Sequence, residues 1–152
     1  PRPGLIAKPD KADYAVGMEM QQIAQFFKGD QFAKENGMRV VEVRPGFAQA
    51  EMKVEPRHLN AVGIVQGGAV FTLADLAFAA ASNSHGVLAV ACQADLTYFK
   101  AVASGTLTAV AEEISRTRKL STCLIRVTNE EGELVALFKG VAYIKGTPLG
   151  VA

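Results

Sequence analysis

An aspartate inside an apolar stretch is the residue with the clearest chemical potential in this sequence. Asp75 is the one Asp, Glu, Lys or Arg between His58 and Asp95, and its surroundings are mostly Ala, Val, Gly, Leu, Ile and Phe. Burying an unpaired carboxylate costs free energy, so a segment that keeps one usually uses it. Asp75 is therefore a candidate catalytic carboxylate. The alternative is a structural role, as a cap or a hydrogen-bond partner of Thr72.

A glycine pair precedes Asp75 at a distance that constrains the chemistry. Gly67 and Gly68 stand where a helix should begin, and the first amides of a helix are unsatisfied donors that can stabilise a developing oxyanion. Gly67 lies eight residues before Asp75, which is about 12 Å along one helix axis. One helix cannot bring both groups to one carbonyl carbon. Two antiparallel copies can, which predicts a two-fold dimer with two shared sites.

One long apolar helix, with strands before and after it in the sequence, must position these residues. The pattern predicts this helix from Gly67 to about Asn83, and it predicts an earlier helix over Met18–Glu35 with a break at Gly29-Asp30. Strand periodicity predicts a hairpin over residues 38–54 that turns at Pro45-Gly46, and four later strands over Val87–Phe99, Gly105–Ser115, Ser121–Asn129 and Glu133–Ile144.

This order predicts an α+β fold in which an antiparallel sheet covers the apolar helix. We divide the chain into an N-terminal arm with short helices (1–36), a main domain (37–146) and a C-terminal tail (147–152).

Composition narrows the possible functions. The chain has 152 residues, 49% of them hydrophobic, and a net charge of +1, which favours one globular domain and argues against nucleic-acid or membrane-surface partners. The isolated Cys92 and Cys123 predict two buried thiols in a reducing, cytoplasmic location, and neither a metal site nor a redox cofactor is expected. Ala61–Ala81 is long enough to span a membrane, but Asp75 at its centre disfavours insertion.

The motif Asn60-x-x-Gly63-x-x-Gln66-Gly67-Gly68, followed by Leu73-Ala74-Asp75, resembles the signature of hotdog-fold acyl-CoA thioesterases. It is most similar to the phenylacetate-degradation (PaaI-type) branch and to 4-hydroxybenzoyl-CoA thioesterase-like relatives. The resemblance implies a hotdog fold, with an antiparallel sheet wrapped around one long central apolar helix and an extra N-terminal helical segment. It also implies a homodimer or homotetramer.

The resemblance also implies roles for individual residues in the hydrolysis of an acyl-CoA thioester to a free acid and CoA. Asp75 would act as general base or as nucleophile. The Gly67 backbone N–H would polarise the thioester carbonyl across a dimer interface, and Asn60 would hold the attacking water or the substrate. The chain departs from many relatives at Gln66, where they have His, and from some at Ala79, where they have Thr or Ser.

The remaining candidates would bind substrate. Gln66, Gly68, His58 and Ser82 are predicted to lie near the reacting group, with Ser82 as a substitute hydroxyl. The basic turn predicted at Arg116, Arg118 and Lys119 would meet the phosphates of CoA, unless it is only a solvated hairpin turn. Alternatively, acyl-CoA lies along the strand from Leu96 to Lys100. CoA enters only as part of substrate and product, so no cofactor is expected.

Two other functions fit this fold class. One is a non-catalytic module that binds or senses acyl-CoA, which an apolar residue at position 75 would have favoured. The other is a hydratase or dehydratase, which would pair a histidine with a carboxylate, a placement that neither His58 nor His85 offers. Phe71 and Phe78 suggest an aromatic or medium-chain acyl group, but aromatic residues at helical spacing are usually core.

Overall fold

The computed structural model describes residues 20–150, and of residue 20 only the backbone. It contains three α-helices, six strands and a single 3₁₀ turn over Pro56–His58 within that part of the chain. The helices are α1 (Met20–Phe27), α2 (Gln31–Glu35) and α3 (Gly67–Asn83). The strands are β1 (Met38–Arg44), β2 (Phe47–Lys53), β3 (Val87–Tyr98), β4 (Thr106–Arg116), β5 (Leu120–Thr128) and β6 (Leu134–Pro148).

The strands form one antiparallel sheet in the order β1-β2-β4-β5-β6-β3. Alternate residues of the strands point to one face, where side chains such as Leu107, Ile125 and Phe138 pack against Leu73 and Phe78 of α3 in a single hydrophobic core. Because the sheet curves around the helix, most of α3 is buried. The prediction of an α+β hotdog fold with an added N-terminal helical segment is confirmed.

The predicted element boundaries hold closely except at the C-terminal end. The break at Gly29-Asp30 separates α1 from α2, and Asp30 caps α2 by accepting a hydrogen bond from the Ala33 N–H at 2.9 Å. The last strand, predicted to end at Ile144, instead continues to Pro148, which pairs with Val87. Gly146, with φ 81°, lies where the register shifts, so the strand passes through a bulge into the segment predicted as the tail. Residues 1–19 of the predicted N-terminal arm and the last two residues of the predicted tail lie outside the described part.

An uncovered stripe runs along α3. It comprises Gly68, Phe71, Thr72, Asp75 and Ala79, which are exposed or half-buried and recur at helical spacing. Phe71 of this stripe packs against Phe138 of β6, which pairs with Leu96 of the neighbouring β3. β3 is an edge strand whose outer side pairs with no other strand of residues 20–150.

Phe78 and Ser82, which the sequence suggested for contact with the acyl group and the reacting group, are buried. Phe78 packs against Phe138 of the sheet, and Ser82 is 1% exposed. The C-terminal end of α3 is enclosed there, since the Asn83 side chain binds the backbone of Ala89 on β3 through both of its amide atoms. The uncovered part of the helix is therefore its N-terminal two-thirds.

A polar cluster of Glu113, His85, Arg116 and Ser121 fastens this end of α3 to the sheet. Glu113 accepts hydrogen bonds from Arg116 at 2.9 Å and from Ser121 at 2.5 Å, and its other oxygen lies 2.7 Å from His85 Nε2. Burial opposes ionisation, but the hydrogen bonds from His85, Ser121 and Arg116 outweigh it and lower the pKa of Glu113. Glu113 is thus held as a carboxylate among three donors that join helix to sheet. His85 therefore does pair with a carboxylate, contrary to the prediction from sequence.

Both cysteines are free, but only one is buried as predicted. Cys123 lies in the core, and burial raises the pKa of its thiol to about 11. Cys92 is exposed because it lies on the edge strand β3.

Candidate active site

The N-terminus of α3 is built from Gln66 and the two glycines that follow it. Gln66 is the N-cap residue, and its side-chain oxygen accepts a hydrogen bond from the Gly68 N–H. Its backbone carbonyl accepts from the N–H groups of Ala69 and Val70, at 2.9 and 3.4 Å. Gln66 was predicted to contact substrate, and its oxygen is used by the helix instead. Its Nε2 has no partner within residues 20–150 and remains available as a donor.

Both glycines are required by close neighbours rather than by unusual backbone angles, since neither has a positive φ. A Cβ atom on Gly68 would lie 2.6 Å from the capping oxygen of Gln66. A Cβ atom on Gly67 would lie 2.7 Å from the hydroxyl of Tyr98 and 3.0 Å from its Cζ. A side chain at either position would therefore displace a group that organises the start of the helix.

One amide at this terminus is free. The Gly67 N–H has no hydrogen-bond partner among residues 20–150, whereas the N–H groups of Gln66, Gly68, Ala69 and Val70 all have one. A cavity of about 610 Å³ lies elsewhere, between α1, α2 and β1, but Gly67 lines a second one of about 370 Å³. Near it in this second cavity are Asn60, Tyr98, Phe99 and Lys100. The helix thus has an unsatisfied donor on a residue that lines a space large enough for a ligand.

Asn60 belongs to the same cavity, and its side chain is divided between two tasks. Its Oδ1 accepts hydrogen bonds from the N–H groups of Val62 and Ile64, at 3.0 and 3.3 Å, which fix the loop before the helix. Its Nδ2 has no partner in the described part of the chain. Any contact with a ligand would therefore use Asn60 as a donor.

Asp75 lies two turns further along α3, half-buried and outside this cavity. No hydrogen bond or ion pair within residues 20–150 satisfies its carboxylate; the Thr72 hydroxyl, a possible partner, donates to the Gly68 carbonyl at 2.8 Å. Burial raises the pKa of the Asp75 carboxyl, and the negative charge of Asp30 raises it further. An unpaired carboxylate of raised pKa is suited to accept a proton from water.

His58 has a structural role that the sequence did not reveal. It is 2% exposed, and its Nδ1 accepts from the Glu55 N–H at 3.0 Å while Nε2 lies 3.0 Å from the Asn36 carbonyl. Because a carbonyl can only accept, the neutral tautomer with hydrogen on Nε2 satisfies both contacts. Its predicted contact with substrate is at odds with this geometry.

The contacts of two further predicted substrate-binding residues, Ser82 and Arg116, are likewise at odds with that role. The buried Ser82 hydroxyl donates to the Ala79 carbonyl at 3.2 Å within its own helix. Arg116 is not in the turn but at the end of β4, where it binds Glu113 and the Ser82 carbonyl. Arg118 and Lys119 do form an exposed turn between β4 and β5, so only they remain as candidates for contact with phosphates.

The sequence did not reveal the contacts that two residues, Tyr98 and Asp30, make in the site. The Tyr98 hydroxyl donates to the Gly67 carbonyl at 2.8 Å from 31 positions away in the chain. Asp30 acts on Asp75 from the loop between α1 and α2. Contacts between such distant segments depend on how the sheet folds around α3, and neither residue belongs to a recognisable motif.

Two further properties follow from residues 20–150. Their helices include none that is long and apolar enough to cross a membrane. Their His, Cys, Asp and Glu side chains form no group of three or more that could hold a metal ion.

Comparison with known families gives a match over the centre of the chain. The model of the Thioesterase superfamily matches residues 62–136, which include α3, β3, β4 and β5. The matched segment begins just after Asn60 and contains Gly67, Tyr98 and Asp75.

Individual relatives extend the similarity over most of the chain. The acyl-coenzyme A thioesterase PaaI of Escherichia coli K12 is 34% identical over 134 residues, covering 87% of this chain and 96% of that protein. The structure of the E. coli PaaI protein from the phenylacetic acid degradation operon is 33% identical and covers 85% of this chain and 95% of that one, with a TM-score of 0.81. A hypothetical thioesterase protein of Streptococcus pneumoniae TIGR4, crystallised with coenzyme A, is 26% identical and covers 82% and 98% of the two chains, with a TM-score of 0.76.

A substitution at His58 tests its structural role. We expect His58→Ala to lower the free energy of unfolding by about 2 kcal/mol, since it leaves the Glu55 N–H and the Asn36 carbonyl without their partner. Chemical denaturation of the two proteins measures this loss. Lys53→Ala, at an exposed position just before this turn whose side chain has no hydrogen bond or ion pair within residues 20–150, is the control. Equal stability of His58→Ala and the parent protein would contradict the structural role.

Proposed function

Because this chain belongs to the hotdog-fold thioesterase superfamily and is of the PaaI type, we propose that it hydrolyses acyl-CoA thioesters to a free acid and CoA. The observation that carries the proposal is that one helix has both an unsatisfied amide, at Gly67, and an unsatisfied carboxylate, at Asp75, two turns apart. The first suits the carbonyl oxygen of a thioester, and the second suits the attacking water.

The proposed reaction divides these tasks between two subunits. The thioester oxygen accepts a hydrogen bond from the Gly67 N–H of one subunit, while Asp75 of the other takes a proton from water as its oxygen attacks the carbonyl carbon. Collapse of the tetrahedral intermediate breaks the carbon–sulfur bond, and the CoA thiolate leaves. Alternatively, Asp75 attacks directly and forms a mixed anhydride, which water then hydrolyses. Asn60 Nδ2 and Gln66 Nε2 are donors on the Gly67 side.

The uncovered stripe of α3 supports a site that is shared between two subunits. The stripe of α3 that carries Asp75 lies beside the unpaired edge of β3, and residues 90–95 of that strand are exposed. A second copy related by a two-fold axis would pair the two β3 edges and cover both stripes. We therefore include a homodimer, or a homotetramer made from it, in the proposal, together with a cytoplasmic location suited to the free thiols of Cys92 and Cys123.

The residues that line the cavity at Gly67 indicate where CoA would bind. The cavity at Gly67 is lined by Tyr98, Phe99 and Lys100 at the end of β3, which favours the predicted path of acyl-CoA along Leu96–Lys100. The exposed turn of Arg118 and Lys119 is then a candidate for the phosphates only if it approaches this path in the assembled protein.

Replacement of Asp75 tests the reaction directly. We expect Asp75→Asn to lower thiol release from a panel of aromatic and straight-chain acyl-CoAs by roughly 10²-fold or more, as for loss of a general base. Burial makes the charged form unfavourable, so the neutral amide should also raise the melting temperature. Full activity in Asp75→Asn would refute the role of Asp75. Tight acyl-CoA binding without turnover by the parent protein would favour the sensing module.

Mixing two inactive variants tests the shared site. Proline fits the first position of a helix and removes the N–H, so Gly67→Pro should be inactive. Gly67→Ala adds a Cβ that displaces the Tyr98 hydroxyl but keeps the N–H, so it should retain more activity than Gly67→Pro. Exchange of subunits between Gly67→Pro and Asp75→Asn should restore about a quarter of the parent activity, since half the dimers are then mixed and each has one intact site. No recovery despite demonstrated exchange would place both groups in one subunit's site.

A pH profile tests the electrostatic setting of Asp75. The reaction requires its ionised form, so kcat/KM should fall as the pH drops below its raised pKa. Asp30→Asn removes the neighbouring charge and keeps the α2 cap, because Asn caps as well as Asp. We expect the acidic limb of the profile to move to lower pH in Asp30→Asn and to stay in place in the exposed control Glu131→Gln. An unmoved limb in Asp30→Asn would show that another group controls it.

A further inference from the structure

Tyr98 contacts the proposed oxyanion donor from a different part of the fold. It is the last residue of β3, faces the same side of the sheet as the buried Ala136 opposite it, and is 52% exposed. Its hydroxyl donates to the Gly67 carbonyl at 2.8 Å, and its ring lines the cavity into which Gly67 faces. The phenol occupies the space that a side chain on Gly67 would need.

The hydroxyl completes a set of restraints around two flexible residues. Glycine has the greatest backbone freedom of any residue, so two glycines in the first turn of α3 hold their amides less firmly than other residues would. The peptide unit between them is planar. Tyr98 binds its oxygen and Gln66 binds its N–H, so the unit is held at both ends.

The peptide unit before it is restrained as well. Its carbonyl, that of Gln66, accepts hydrogen bonds from Ala69 and Val70, which leaves the Gly67 N–H as the free group of the two units. The two peptide units meet at the Cα atom of Gly67, and only its φ and ψ angles relate them. The hydrogen bond from Tyr98 holds the second unit in place and so restrains these angles and the orientation of the first unit.

We propose that Tyr98 is a positioning residue, which fixes the direction of the Gly67 N–H by binding the carbonyl of the same glycine. This inference rests on the proposed thioester hydrolysis. Its chemical consequence follows from the fact that a donor stabilises an oxyanion best when it needs no reorganisation during the reaction. Loss of the hydroxyl should therefore weaken stabilisation of the transition state more than binding of the substrate.

The test begins with Tyr98→Phe, which removes one oxygen and keeps the ring. We expect kcat for thiol release to fall about tenfold, the equivalent of one hydrogen bond, while KM changes less than twofold. Tyr143→Phe, at the other exposed tyrosine of the sheet, is the matched control and should retain its kcat. A higher KM at unchanged kcat would show that Tyr98 only contacts substrate, and unchanged values of both would exclude any role.

A double variant shows whether Tyr98 acts through Gly67. In Gly67→Ala the new Cβ already displaces the hydroxyl, so adding Tyr98→Phe should cost less than twofold further. Losses that multiply would mean that the two residues act independently and would overturn the proposal.

An NMR measurement separates this inference from the proposed function. If Tyr98 positions the glycine, the amide signals of Gly67 and Gly68 should shift in Tyr98→Phe while those of β2 and β4 stay in place. Absence of thiol release by the parent protein would refute the proposed function, and the amide signals would still decide the role of Tyr98. Unmoved signals would overturn the positioning role whatever the activity.

Discussion

The unpaired carboxylate of Asp75 limits how closely the rest of the fold can cover the central helix. Asp75 lies on α3, which packs into an apolar core, yet no side chain in the described part of its own chain satisfies it. The fold tolerates the charge by leaving one stripe of the helix uncovered. The unpaired edge of β3 lies beside that stripe. The proposed chemistry and the proposed assembly both start from this uncovered stripe of one helix.

The two ends of α3 are held by different means. At the C-terminal end, a buried carboxylate, Glu113, gathers three charged or polar donors and joins helix to sheet. At the N-terminal end, neutral groups hold the helix in place: the side chains of Gln66 and Tyr98, and the loop that Asn60 fixes. Lys100, the one charged residue among those that line the cavity at Gly67, is paired with Glu133. Within residues 20–150 the Gly67 amide is left as an unpaired donor beside groups that are held by neutral hydrogen bonds.

The sequence predicted what is encoded locally and missed what is encoded by contacts between distant segments. Periodicity predicted all six strands and α3, because alternation and apolar composition are properties of neighbouring residues. The spacing of Gly67 and Asp75 indicated two subunits from helix geometry. By contrast, the assignments of His58, Ser82 and Arg116 to substrate binding conflict with their contacts, which lie with residues up to 34 positions away. Residue type alone cannot distinguish a buried polar group with partners from one that faces a ligand.

Each glycine at the start of α3 leaves room for a neighbouring side chain. A Cβ atom at position 67 would displace Tyr98, and one at position 68 would displace Gln66. In each case the glycine and the larger residue share one volume. Among relatives of this chain, change at these positions should therefore be correlated: a lineage that replaces Tyr98 with a small residue loses the steric reason for Gly67, and one that shortens residue 66 loses the reason for Gly68. The glycine motif therefore depends on a residue outside it, Tyr98, on a strand that begins about twenty residues later in the chain.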